Sequence, residues 1–225
     1  MLKMLPLYQL IASLCIAMVT PALSQADAAK SPKVSFRVTR FDPGDGTSPK
    51  FRVGTEQKEC EVPLTSIEGP FSATLRDGTY LDFWGAAADN PEISVAIAAN
   101  ERKDLLLIFF PDGKTFRLMK VVTSADRMQG GYQMIINTTP DEIGVKLGTA
   151  EPVIISSGKS GTLKTPTAAK NASIPVVVNV KKAGKWTLVS TEDWPHEPTV
   201  RKFLFAFVSP RTKHLMFHTV SEMVE

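Results

Sequence analysis

Asp104–Asn137 reads DLLLIFFPDGKTFRLMKVVTSADRMQGGYQMIIN. Leu105–Phe110 is an unbroken apolar run, Pro111-Asp112-Gly113-Lys114 is turn chemistry, and Thr115–Val122 is a second β-type run. Asp-Gly tolerates the positive φ that a tight hairpin needs, so the two runs are expected to pair. A second turn, Ser124–Gly131, leads into the run Tyr132–Asn137. The same grammar of short β-rich runs and polar turns extends outward in both directions.

Toward the N-terminus, Lys33–Arg40 alternates Val34, Phe36 and Val38 with Ser35, Arg37 and Thr39, the period of a half-buried strand. Arg76-Asp77-Gly78-Thr79 is a further hairpin turn. Toward the C-terminus, Ile143, Val145 and Leu147 alternate with Glu142, Gly144 and Lys146, and Lys182-Ala183-Gly184 marks another hairpin. Glu192–Pro198 reads as a two-proline connection, and Arg201–Val208 and Lys213–Val220 flank a last turn. About fifteen runs spaced by roughly 8–12 residues form the pattern of an all-β sandwich. The 16 prolines fall between runs, and no window joins helical periodicity to capping residues. The expected fold is all-β: two antiparallel, immunoglobulin-like β-sandwich lobes, residues 29–125 and 126–225, divided near Ser124–Gly130.

Residues 1–28 read as a secretory signal peptide: Lys3, then the ten-residue apolar core Leu10–Val19, then the cleavage signal Ala26-Asp27-Ala28, with Ala22-Leu23-Ser24 as the alternative. That core is short for a membrane span, and no other stretch offers one. The chain carries 26 Lys and Arg against 23 Asp and Glu, net +3, a balance that selects no partner class. Cys15 leaves with the signal, so Cys60 has no internal partner and stability must come from the core. Alternation of Cys60, Val62 and Leu64 with polar neighbours places the thiol on an apolar strand face.

At Ser124–Leu147 the residues Ser124, Asp126, Gly131, Asn137, Thr138, Ile143, Val145 and Leu147, followed by Gly148, form a pattern of turn, glycine, strand ending in Asn, and strand ending near Leu-Gly. With Trp186 and Arg201 ahead of the last hairpin, this half resembles a family of exported, β-rich, uncharacterised proteins of Verrucomicrobia and related bacteria. Met128-Gln129 stands where that family often has Phe-Pro. The resemblance implies an exported β-sandwich and no activity; some such proteins are associated with pilus assembly.

Three groups of residues are candidates for binding. Pro152–Thr191 holds six lysines, Lys159, Lys164, Lys170, Lys181, Lys182 and Lys185, and no carboxylate. Gathered on one lobe, with Trp186 among them, they would favour an acidic polymer, or else form a solvated face whose edge lysines deter strand pairing. Few aromatics interleave with them, so nucleic acid is not expected. His214, Met216 and His218 share one strand face, a soft donor set suited to copper, although neighbours about 7 Å apart are wide for shared ligation. Tyr80, Phe83, Trp84, Trp186 and Trp194 would make a sugar platform if exposed, with Asp82 and Asp193 read as turn or surface carboxylates. Asn137-Thr138-Thr139 and Asn171-Ala172-Ser173 fit the glycosylation pattern.

Gly158-Lys159-Ser160 and Gly113-Lys114-Thr115 lack the earlier glycine of a phosphate loop, and no hydrolase or zinc spacing occurs. The function expected from sequence is therefore a non-enzymatic exported module of the cell envelope, without cofactor. Its partner would be an envelope protein or an acidic polysaccharide.

Overall fold

The runs become strands, and they do so twice in the same order. A computed structural model describes residues 31–43, 48–124, 128–165 and 172–224, so the expected signal peptide lies outside the described residues. The first lobe contains β1 (Lys33–Arg40), β2 (Lys50–Val53), β3 (Lys58–Glu61), β4 (Glu68–Thr74), β5 (Tyr80–Trp84), β6 (Ile93–Ala96), β7 (Leu105–Asp112) and β8 (Thr115–Val122). The second contains β9 (Gln133–Asn137), β10 (Glu142–Leu147), β11 (Val153–Ile155), β12 (Ser160–Leu163), β13 (Ser173–Lys182), β14 (Lys185–Pro195), β15 (Val200–Val208) and β16 (Leu215–Met223).

Four sheets result: β4-β1-β7-β8 and β3-β2-β5-β6 in the first lobe, β12-β9-β15-β16 and β11-β10-β13-β14 in the second. Adding eight to each strand number of the first lobe gives the second. The match extends to strand direction, since β1–β7 and β9–β15 are the parallel pairs and the remaining pairs are antiparallel. It extends to register: Arg40 pairs with Phe109 as Asn137 pairs with Ala206. The two lobes are topological duplicates that carry no sequence repeat.

Three apolar cores explain the residue choices. One lies inside the first lobe, built on Val34, Phe36, Leu81, Phe83, Leu107 and Phe109. Another lies inside the second, built on Ile135, Val145, Leu147, Val178, Leu204 and Ala206. The third joins the lobes: Leu106, Ile108 and Phe110 of β7 meet Ile136 of β9 and Phe203 and Phe205 of β15. The sheets containing β7 and β15 therefore pack face to face, with these central strands buried on both sides, while the other two sheets form the outer layers. A strand buried on both faces loses period-two alternation and reads as one apolar run, which is why Leu105–Phe110 and Phe203–Ala206 contain no polar residue. Corresponding positions of the two lobes meet across this third core, as in a two-fold dimer fused into one chain. Ser31–Glu225 accordingly forms one compact unit.

The two Gly-bearing hairpin turns whose central residues both have positive φ, Asp77-Gly78 and Ala183-Gly184, match the twist of their flanking strands. One connection is corrected: Glu192–Pro195 is not loop but the end of β14, which pairs with β13 through Ser173↔Pro195.

Candidate functional site

Strand direction decides which loops share an end. Phe41, just past β1, stacks on Phe205 at 4.9 Å and lies 5.4 Å from Phe207 late in β15. Arg37, earlier in β1, bonds to Glu222, which faces Arg201 at the start of β15. β1 and β15 thus run the same way, and both lobes present corresponding ends together.

At the end where β1, β7, β9 and β15 finish, the second lobe carries Lys159, Lys181, Lys182, Lys185, Arg211 and Lys213 against Asp141 and Glu142. Four of the six lysines expected to gather are therefore brought to one end. Lys164 follows β12 at the opposite end, and Lys170 lies outside the described residues. Lys181 is partly spent, with its Nζ 2.8 Å from Glu142 Oε2, and that contact holds the Glu142 carboxyl below its usual range. Trp186 is 44 % exposed on the outer face of its sheet. Its ring lies over Gly144, where a Cβ would sit 3.3 Å from the indole, and Lys181 Nζ is 5.7 Å from the ring centroid. The corresponding end of the first lobe carries Asp42, Glu61, Glu68, Asp89, Glu92 and Asp112 against Arg40, Lys50, Arg52 and Lys114, a small excess of the opposite charge.

Met216 and His218 share a face of β16, with Leu215 and Phe217 packed on the lobe core, but His214 precedes the strand, in the bend that leads into it. His218, however, turns toward the first lobe: its Nε2 is 3.3 Å from Leu64 O and its ring is 6.0 Å from that of Phe41. Among the described residues no three His, Cys, Asp or Glu side chains group as a metal site.

The aromatic platform does not assemble. Phe83 and Trp84 are buried, while Tyr80 and Trp186 are exposed on different lobes. Asp82, expected at the surface, is also buried, receiving Arg76 Nε at 2.6 Å and Ser94 Oγ at 2.6 Å. Asn137 is fully buried and is no glycosylation acceptor: its Nδ2 donates to Asp141 O and Ile155 O at 2.7 and 2.9 Å, and its Oδ1 accepts from Thr139. Asn171 lies outside the described residues. Cys60 is 1 % exposed, and burial pushes its thiol up to about 12, far from the thiolate a nucleophile needs.

Sequence reading missed an ion cluster at the joint between lobes. Arg37 and Arg201 both bond Glu222, and Arg201 also donates to Thr123 O and Met128 O at 2.7 and 3.1 Å, gripping both sides of the inter-lobe connection. Burial, then the Arg37 charge, lowers the Arg201 guanidinium to about 10. The only sequence signal was Arg201 itself, ahead of the last hairpin.

It also missed the seams. Each lobe has a side where an edge strand of the outer sheet faces an edge strand of the inner one. In the first lobe, Lys120 of β8 reaches across to Ala96 O of β6 at 2.8 Å and to Glu101 at 2.7 Å in the short 3-10 turn Ala99–Glu101. In the second, β14 and β16 part, and a cleft of about 470 Å³ opens over Leu204, Leu215 and Phe217.

No known family model matches the chain, and no curated protein matches it in sequence. Among solved structures that match is a candidate cell adhesion protein of Bacteroides uniformis, with 8% identity over 86% of this chain and 99% of that one, and a TM-score of 0.29. At that score too little backbone superposes for function to be carried across. No helix among the described residues is long and apolar enough to cross a membrane.

Proposed function

We propose that this chain is a non-enzymatic exported module of the cell envelope, structural or adaptor in role. The observation that carries this reading is the double-faced burial of the central strands β7 and β15, which joins a duplicated sandwich into one compact body. Its buried polar groups fit the same role. Asp82, Asn137 and Arg201 each spend their hydrogen bonds on strands and loops of the scaffold.

Crosslinking the full chain in its native envelope and recovering the adducts tests the proposal. A defined envelope partner is expected. Substrate turnover abolished by one point change outside the cores would overturn it.

A second reading is binding of an acidic polysaccharide. It is favoured by Lys159, Lys182, Lys185, Arg211 and Lys213 meeting at one end with few carboxylates. Such binding would weaken with salt and be lost when Lys159, Lys182 and Lys185 become Glu. Retention of the polymer in that triple variant would exclude this end as the contact.

A further inference from the structure

We infer that the cleft between β14 and β16, where it lies over Leu204 and Phe217, is a binding site for an N-acylated sugar; it adjoins the lysine-bearing end through Val189, Ser190, Glu192 and Leu215 and is independent of the adaptor reading. Three observations meet there.

The first is Gln133. It is the opening residue of β9, 3 % exposed, and faces the lobe interior from the wall of the cleft. Its Oε1 is buried without a hydrogen-bond partner. Buried amides are rarely left so, and a carboxamide can present either its acceptor or its donor end by a half-turn. A ligand bearing a neutral amide complements both ends.

The second is a bulge in β14. Val178 pairs with Ser190 but Asn179 pairs with Leu188, so Val189 is the extra residue. The bulge inverts the parity of the strand beyond it. Without it Thr191 and Asp193 would face inward; with it Ser190, Glu192 and Trp194 line the cleft mouth. Bulges that re-aim side chains are a recurrent feature beside binding sites.

The third is the chemistry of the walls. Trp194 meets Phe217 edge to face, centroids 5.6 Å apart, a corner suited to the C–H face of a saturated ring and to an acyl methyl. The charges at the mouth are already engaged. Lys202 Nζ lies 2.7 Å from Glu197, and Glu192 accepts from Ser190 at 2.6 Å and from the Trp194 indole at 3.4 Å. The site is therefore set for an uncharged ligand that hydrogen-bonds. Its volume, about 470 Å³, suits roughly one or two pyranose rings. An added peptide strand is disfavoured, because the Val189 bulge breaks the regular edge and Pro195 offers no N–H.

The test is titration of the full exported chain with di-N-acetylchitobiose, with cellobiose as the sugar lacking acyl groups and an acetylated extended peptide as the third arm. Binding is followed by tryptophan fluorescence and calorimetry. Saturable binding of the first, at least about tenfold tighter than cellobiose, is expected, with a signal that disappears in Trp194→Phe. Gln133→Leu is expected to lose about tenfold or more in affinity while its melting temperature holds or rises, because the variant removes a buried amide oxygen that has no partner. A merely structural glutamine would lower the melting temperature and leave the affinity alone. Equal binding of both sugars, no saturation by the acylated one, or unchanged affinity in Gln133→Leu overturns the proposal. Peptide binding that protects β14 amides from exchange, with no effect of the sugar, overturns it in favour of a strand.

Discussion

The two lobes have one strand order and two different characters. The first is filled with aromatic rings: Phe51 lies 5.4 Å from Phe109, and Phe83 meets Phe36, Phe51 and Phe109 edge to face. It has a four-residue β6 and a seam bridged by Lys120. The second has an aliphatic, largely β-branched core, an eleven-residue β14 and an open seam. Their matching ends carry opposite charge. Duplicated topology therefore leaves the edges and loops free to diverge, because the ladder pairing and buried faces that define the fold do not involve them. The closed lobe reads as scaffold, and the open lobe holds both candidate binding surfaces.

Several experiments would break or sharpen that contrast. The largest effect is expected from Phe205→Ala in the shared core, a loss of about 3–5 kcal/mol. If the lobes are one cooperative body, both melt together, and amide exchange in β7 and β15 accelerates equally. Two resolved transitions in the wild-type protein would show instead that the lobes are independent. Glu222→Gln leaves Arg37 and Arg201 facing each other with only the nearby Asp104 carboxylate to offset their charge. Since their side chains remain slightly solvated, a loss of about 2–3 kcal/mol is expected, below that of a fully buried pair. Restoration by Arg37→Met in the same chain would assign the loss to charge rather than to packing.

Acid should distinguish the lobes. Burial alone would raise the Asp82 carboxyl, but hydrogen bonds from Arg76 and Ser94 and the Arg76 charge outweigh it and hold the group below its usual range. A depressed carboxylate contributes stability that is present above its ordinary pKa and is lost as pH falls through its folded-state value. Wild-type protein should therefore lose stability below about pH 4, and Asp82→Asn should flatten that decline. Amide exchange should locate the wild-type loss in β5 and β6. Identical acid profiles in the two proteins would remove Asp82 as the cause. The smallest effect belongs to Lys120→Met, a partly exposed clip worth about 0.2–1 kcal/mol. Its expected signature is faster exchange in Ile93–Ala96 with little change in melting temperature.

Much of this was legible in the chain itself, and the exceptions follow a rule. Hairpins at Asp77-Gly78 and Ala183-Gly184 were readable because their determinants lie within four residues. The burial of Cys60 was readable from alternation. Asp82 was misjudged because what buries and pairs it, Arg76 and Ser94, arrives through the hairpin and a neighbouring strand. Asn137 matched a surface glycosylation pattern, yet its bonds run to Asp141 and Ile155 inside the lobe. Glu192–Pro198 reads as loop because its two prolines and three charges outweigh a strand end that a bulge puts out of phase. Lysine content marked the second lobe as basic, but only strand direction put Lys159 with Lys182 and left Lys164 at the other end.

The sequence alone determined the local matters: an all-β chain, its turns and the faces its strands bury. Tertiary structure decided what depends on partners distant along the chain: the duplication of strand order, the core that fuses the lobes, and the seam that closes in one and opens in the other. The reason is physical. Alternation and turn chemistry act over a few residues and are written into them, whereas a seam is set by two edge strands that meet only after every sheet between them has paired.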